Sequence, residues 1–316
     1  HPSRQGAVRH PAQYPVMRSH TRTRRGFSLV EIITALTILS IIGLSLTRLM
    51  LSQTRAFQYD SGGRRARTAA RSAMNILITD LRMTQDNGGV AYLDATNNRR
   101  VDVKVPVAFG LVCVVGVSEV IMSMVPVDSF QLASMRLGGY AIRNATNGIY
   151  AYVSGGTMAA ADTLSCHGGG AGRPAYYADT VRMGGRRGGV YRISGAPPAG
   201  TVPGSMAFVW QTVRYSFDPS AAYPGRLGLY RIITYGSSAD TNELIAPFSS
   251  TARFSYYTNP PQTNDAATST APTDYNTLRG FKIFLPAEAS DTVPGRTGPQ
   301  KTTMTTAVFF KNTRNQ

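Results

Sequence analysis

Between Phe27 and Thr47 the chain holds 21 residues that are almost wholly apolar and carry one charged side chain, Glu31. As an α-helix this run rises about 31 Å, close to the roughly 30 Å of a bilayer's hydrocarbon core. One membrane crossing therefore satisfies its backbone and its side chains together. Arg22, Arg24 and Arg25 stand just before it, in a leader of 26 residues that contains six arginines and no acid. That leader has no apolar segment of its own and is unlike an ordinary secretory signal peptide. The positive-inside bias places the N-terminus in the cytoplasm and everything after Thr47 outside it. Glu31 is the anomaly, because a carboxylate at membrane depth costs about 2.5 to 3.5 kcal/mol on insertion scales and needs a partner.

Arg25-Gly26-Phe27-Ser28-Leu29-Val30-Glu31, followed by the apolar span, resembles the processing site of type IV prepilins and type II secretion pseudopilins. The resemblance implies that a prepilin peptidase cuts after Gly26 and methylates Phe27, that Arg24 and Arg25 belong to the basic end of the leader, and that Glu31 acts in assembly. The leader is longer than is usual for that family, and the first residue is His1, so a different natural start is expected. Cleavage would expose an ammonium group on Phe27 about one helical turn from Glu31. The carboxylate of one subunit and the ammonium of a neighbour can then neutralise each other in low dielectric. Pairing within one subunit is the alternative, but only the intermolecular pair sets the register of one helix against the next. Thr34, Thr37 and Ser40 share one arc of the span, and Gly43 and Thr47 form a small-residue pair. These residues serve either helix contacts or hydrogen bonds to their own backbone.

Beyond Thr47 the helical pattern resumes. Ala66, Ala69, Ala70, Ala73, Met74, Leu77 and Leu81 recur at three- and four-residue spacing, with Arg64, Arg65, Arg67, Arg71 and Arg82 around them. This predicts an amphipathic helix with a solvated basic face and an apolar face laid on a sheet. Gly62-Gly63 predicts a kink or short loop, and Asp86-Asn87-Gly88-Gly89 an end. Leu77 to Met83, with its Asp80-Leu81-Arg82 triplet, resembles the end of the first helix in W-type minor pilins and J-type minor pseudopilins.

From Asn87 onward the pattern is of strands and loops. Val101, Val103 and Val105 alternate with polar residues, and Phe109–Val115 and Val117–Val125 are apolar strand candidates. The stretch from Gly138 to Gly204 is Gly-rich and suits short strands between long loops. Five strands follow: Phe208–Phe217, Leu227–Tyr235, Leu244–Tyr257, Leu278–Leu285 and Thr303–Phe310. Their order again resembles the sheet of the W-type and J-type subunits. The turn-rich insertion from Asn259 to Thr277 is expected to be a mobile loop.

Little in the chain suggests chemistry. Past the leader only His167 remains, beside Cys166, and adjacent side chains rarely face each other, so neither a catalytic dyad nor a histidine-rich metal site is expected. The carboxylates are spread singly, without calcium-loop spacing, although a calcium site built across loops, as in some pseudopilins, stays open. Glycine runs such as Gly168-Gly169-Gly170 lack the context of a phosphate-binding loop. Cys113 and Cys166 are compatible with one disulfide outside the cytoplasm and equally with two buried thiols; the topology favours the disulfide. Of the formal charge of +16, the leader supplies six units, leaving +10, which suits scattered surface arginines more readily than a dedicated polyanion site. Tyr176-Tyr177 and Tyr256-Tyr257 read as sheet packing before they read as stacking platforms.

The expectation is an α+β, pilin-like protein of the inner membrane. Residues 1–26 form a cleaved leader, 27–86 a long N-terminal helix whose transmembrane half is 27–47, and 87–316 an extracytoplasmic β-rich domain with long Gly-rich loops packed on the amphipathic half. The resemblance implies a structural, non-enzymatic subunit without cofactor or metal that initiates or caps a type IV pilus or a type II secretion pseudopilus. Its partners would be the prepilin peptidase and other major and minor pilins or pseudopilins. The alternative is a tip receptor for DNA or surface glycans, and a solitary signal-anchored enzyme is disfavoured by the missing site.

Overall fold

The computed structural model describes residues 26–85, 87–132, 137–162, 166, 182–183, 186–235, 238–258 and 266–310. Residues 1–25 of the leader, with Arg24 and Arg25, and Asp86, His167, Gly168–Gly170, Tyr176, Tyr177, Gly184, Gly185 and residues 259–265 lie outside them. The chain divides into two units, His1–Thr54 and Arg55–Gln316, and helix α1 (Leu29–Met83) contributes to both.

In the first unit α1 carries the apolar run. Leu29, Ile33, Leu36, Ile41 and Leu44 are all more than half exposed, as side chains meant for lipid or for other helices must be. The helix contains one stretch long and apolar enough to cross a membrane.

In the second unit the rest of α1 buries one stripe. Ala66, Ala70, Ala73, Leu77 and Leu81 are completely inaccessible and pack with Val101, Val103, Val213, Tyr215, Phe217, Leu229, Phe281 and Ile283. Three alanines in a row along the stripe leave the helix close to the sheet, and each buried leucine contributes roughly 1.5 to 3 kcal/mol. Arg64, Arg65, Arg67 and Arg71 are exposed, and Arg64 pairs with Asp60 one turn back. The short loop expected as one alternative at Gly62-Gly63 is not formed, and the helix runs through both residues. Their role is close approach: a Cβ on Gly63 would lie 2.7 Å from the Gln300 side chain, and one on Gly62 3.2 Å from that of Ala289. After Met83 the chain turns through Asn87 and Gly88, with φ of 52° and 96° in the left-handed region.

The sheet is antiparallel throughout. The strands of the second unit are β1 (Val90–Leu93), β2 (Arg100–Val115), β3 (Glu119–Met124), β4 (Gly139–Arg143), β5 (Tyr150–Ser154), β6 (Met158–Ala160), β7 (Arg182–Met183), β8 (Arg186–Arg187), β9 (Val190–Ser194), β10 (Met206–Pro219), β11 (Leu227–Tyr235), β12 (Ser238–Phe248), β13 (Arg253–Thr258), β14 (Leu278–Glu288) and β15 (Lys301–Phe309). The main path runs β13-β14-β12-β11-β10-β2-β3-β9-β6, with β15 on β14, β1 on β2, β4 on β10 and β5 on β4, while β7 and β8 form a separate ribbon. Strand alternation gives this sheet two faces. Val213, Tyr215 and Phe217 meet α1, whereas Arg214 between them meets Asp102, which also accepts from Arg100. A second core at the β3 end gathers Val112, Val120, Met122, Tyr140, Ile193 and Val209.

Two strand expectations change. Residues 101 to 115 make one continuous strand, β2. Leu244–Tyr257 is not one strand: a turn closed by Ala252 N–H to the Ser249 carbonyl divides β12 from β13. A short helix, α2 (Pro126–Leu132), follows β3, opened by a proline at its first position. The described part of the 259–277 insertion is held in place: Thr268 pairs with Tyr256, Asn98 Nδ2 donates to the Ser269 carbonyl, and Tyr275 packs on the core.

Candidate functional site

The start of α1 is built by Ser28. Its hydroxyl accepts from Val30 N–H at 3.2 Å and its carbonyl from the N–H groups of Glu31 and Ile32. These bonds satisfy amides that a helix start leaves unpaired. Gly26, Phe27 and Ser28 are non-helical and exposed; Phe27 is 78% accessible, and a Cβ placed on Gly26 would meet no atom within 4 Å. A peptide bond that an enzyme must cut has to be reachable and outside a helix, and the Gly26–Phe27 bond meets both conditions.

Glu31 follows in the first helical turn, where the helix dipole favours an anion. Its carboxylate has no hydrogen-bond or ion-pair partner among the described residues. The hydroxyls of the span differ in this respect. Thr34 donates to the Glu31 carbonyl, Thr37 to Thr34, Ser40 to Leu36, Ser45 to Ile41 and Thr47 to Gly43, all at 2.7 to 3.0 Å. Of the two readings of these side chains, the single chain shows the one satisfied by its own backbone.

In the second unit the Asp80-Leu81-Arg82 triplet acquires a concrete role. Leu81 is buried, and Asp80 Oδ2 accepts from the phenol of Tyr215 at 2.5 Å and from Arg231 Nε at 3.4 Å. Tyr215 is fully buried, and its pKa is raised by that burial, with the Asp80 charge adding to the effect. This cluster ties the helix end to β10 and β11. The sequence held a signal for it: Tyr215 alternates with Val213 and Phe217, so its hydroxyl had to find a partner inside the core.

Cys113 and Cys166 are joined by a disulfide with Cα atoms 5.2 Å apart, packed with Ile121 and Val190. Tyr256 and Tyr257 go to opposite faces: Tyr256 is buried in the main core, and Tyr257 lies half-exposed against Phe309. Among the described residues no group of three or more His, Cys, Asp or Glu side chains could hold a metal ion.

Residues 21–47 match the family model described as the prokaryotic N-terminal methylation motif. No curated protein and no solved structure matches the chain. A long N-terminal helix, apolar at its start, followed by a large antiparallel sheet is the α+β architecture of a pilin-like, membrane-anchored protein. With the methylation motif at the head of that helix, the chain is a type IV prepilin-like protein.

Proposed function

We propose that the protein is a minor pilin or pseudopilin that initiates or caps a type IV pilus or a type II secretion pseudopilus, most like the W-type and J-type subunits. The observation that carries this reading is the methylation motif leading into an apolar, uncovered helix. In this reading the chain sits in the inner membrane with its N-terminus cytoplasmic, is cut after Gly26 and is methylated on Phe27. The new ammonium group then meets Glu31 of a neighbouring subunit. Extraction from the bilayer moves the apolar span from lipid to neighbouring spans, so little hydrophobic free energy is lost. The large outer domain crowds a repeated lattice and is better tolerated at a filament tip. Mass spectrometry of the mature N-terminus, with and without the prepilin peptidase, tests this. Methyl-Phe27 is expected only when the peptidase is present; any other mature start would remove the foundation of the proposal.

A further inference from the structure

The face of β13, β14 and β15 opposite the core has no role in the fold or in the processing site. Register and alternation place on it Arg253, Ser255 and Tyr257 from β13, Gly280, Lys282 and Phe284 from β14, and Thr303, Thr305, Ala307 and Phe309 from β15. Tyr257 and Phe309 flank Gly280 and pack as a tilted pair with ring centroids 4.8 Å apart, and Phe309 is 49% exposed. Four residues along β14, the Arg253 guanidinium lies 4.7 Å above the Phe284 ring. The two aromatic positions are thus about 14 Å apart along the strand, with the exposed Lys282 midway.

Charge distinguishes this face from the others. On the outer side of β2 and β10, Asp102 is shared by Arg100 and Arg214. Arg253 and Lys282 have no acidic partner among the described residues, and the nearest acid in the same column, Glu288, is already paired with Arg226 and Lys301. No carboxylate or amide side chain stands between the aromatic positions to bind sugar hydroxyls. Partly exposed rings, Phe309 at one position and Phe284 beneath the Arg253 guanidinium at the other, separated by an unpaired cation match the alternation of bases and phosphates in an unpaired nucleic-acid strand.

We propose that this face binds single-stranded nucleic acid, with one base on the Tyr257–Phe309 pair, another at Phe284 and Arg253, and the intervening phosphate over Lys282. The site does not depend on filament assembly or on cleavage at Gly26. The test is anisotropy of a labelled oligo-dT of about 15 nucleotides against the full chain in zwitterionic nanodiscs. A hairpin duplex and an anionic polysaccharide serve as competitors.

Single-strand binding should exceed duplex binding. Phe309→Ala or Phe284→Leu should weaken it about tenfold with net charge unchanged. Lys282→Ala should lower the salt slope by about 0.7, and Arg67→Ala on the exposed helix face should leave the preference for the single strand intact. Retention of the Trp210 emission spectrum by each variant shows that the fold is kept. Equal affinity for duplex or polysaccharide, or aromatic variants that bind as the parent does, would overturn the proposal and leave only diffuse attraction by the basic surface.

Discussion

Replacing Tyr215 by Phe removes one oxygen from the centre of the helix–sheet contact and changes almost nothing else. The Tyr215 phenol is completely buried and donates to Asp80, whose side chain is only 19% accessible, so no water replaces the lost donor. A hydrogen bond to a charged group contributes about 1.5 to 3 kcal/mol. Because Arg231 still faces Asp80, a cost near the lower end, about 2 kcal/mol, is expected. Asp80→Ala should cost more, about 3 kcal/mol, since it leaves a buried hydroxyl without its acceptor and a half-buried guanidinium without its anion. The double variant should cost less than the two single costs together, with a coupling of about 1 to 2 kcal/mol. Urea unfolding of the full chain in mild detergent measures all four species. Trp210, the only tryptophan and itself 2% exposed, supplies the signal. Additive single costs would refute the argument, because they would mean that Asp80 and Tyr215 act on stability separately despite their contact.

Alkaline stability should follow from the same phenol. Burial raises the pKa of Tyr215 and of Tyr256 above the ordinary value of 10.0, so the folded state holds protons that the unfolded chain releases. Stability should be flat up to about pH 10 and fall above it, by up to about 1.4 kcal/mol per pH unit for each group; Tyr215→Phe should show a shallower fall in pH-dependent unfolding. Breaking the disulfide with Cys113→Ser and Cys166→Ser opens a loop with a sequence separation of 53 residues. The chain-entropy relation puts the loss at about 4 kcal/mol, measurable as a lowered urea midpoint under oxidising conditions and none under reduction. Glu31→Gln should leave the thermal melt of the outer domain unchanged while lowering crosslinking between this span and those of companion subunits in membranes. Crosslinking equal to the parent's would separate Glu31 from assembly.

How much of this was legible before the fold depended on whether a signal was local. The apolar run, the alanine stripe of α1 and the alternation in β10, β13 and β14 are local periodicities, and the structure places them where their spacing points. Gly62-Gly63 misleads because a glycine needed for close packing looks the same in sequence as one that interrupts a helix. The distinction lies in Ala289 and Gln300, more than two hundred residues away. The β12–β13 division was hidden because its turn, Ser249-Ser250-Thr251-Ala252, carries neither Gly nor Pro. Tyr256 and Tyr257 show the same limit at a single step. Adjacent strand residues face opposite ways, so one joins the core and the other the outer surface, and composition alone treats them as one motif.

The first unit brings the argument back to Glu31. Every hydroxyl from Thr34 to Thr47 donates to a carbonyl of its own helix, so none of them requires a second chain. Their contribution to helix packing is therefore small volume rather than polarity. The carboxylate of Glu31 has only acceptor capacity and cannot be satisfied by backbone carbonyls, while the amides of Val30, Glu31 and Ile32 are already engaged by Ser28. If the span lies in a bilayer as proposed, the helix carries one group at membrane depth that demands a cation from outside the span. Removal of the leader would create such a cation, on Phe27, within a turn of the same depth. In the proposed role the order of events then follows from electrostatics: before cleavage Glu31 would be an unpaired cost in the bilayer, and after it every processed neighbour would offer the group that removes the cost. On this reasoning cleavage of at least one partner is a condition of docking, and without the peptidase the chains should remain monomeric in the membrane even when companion subunits are abundant.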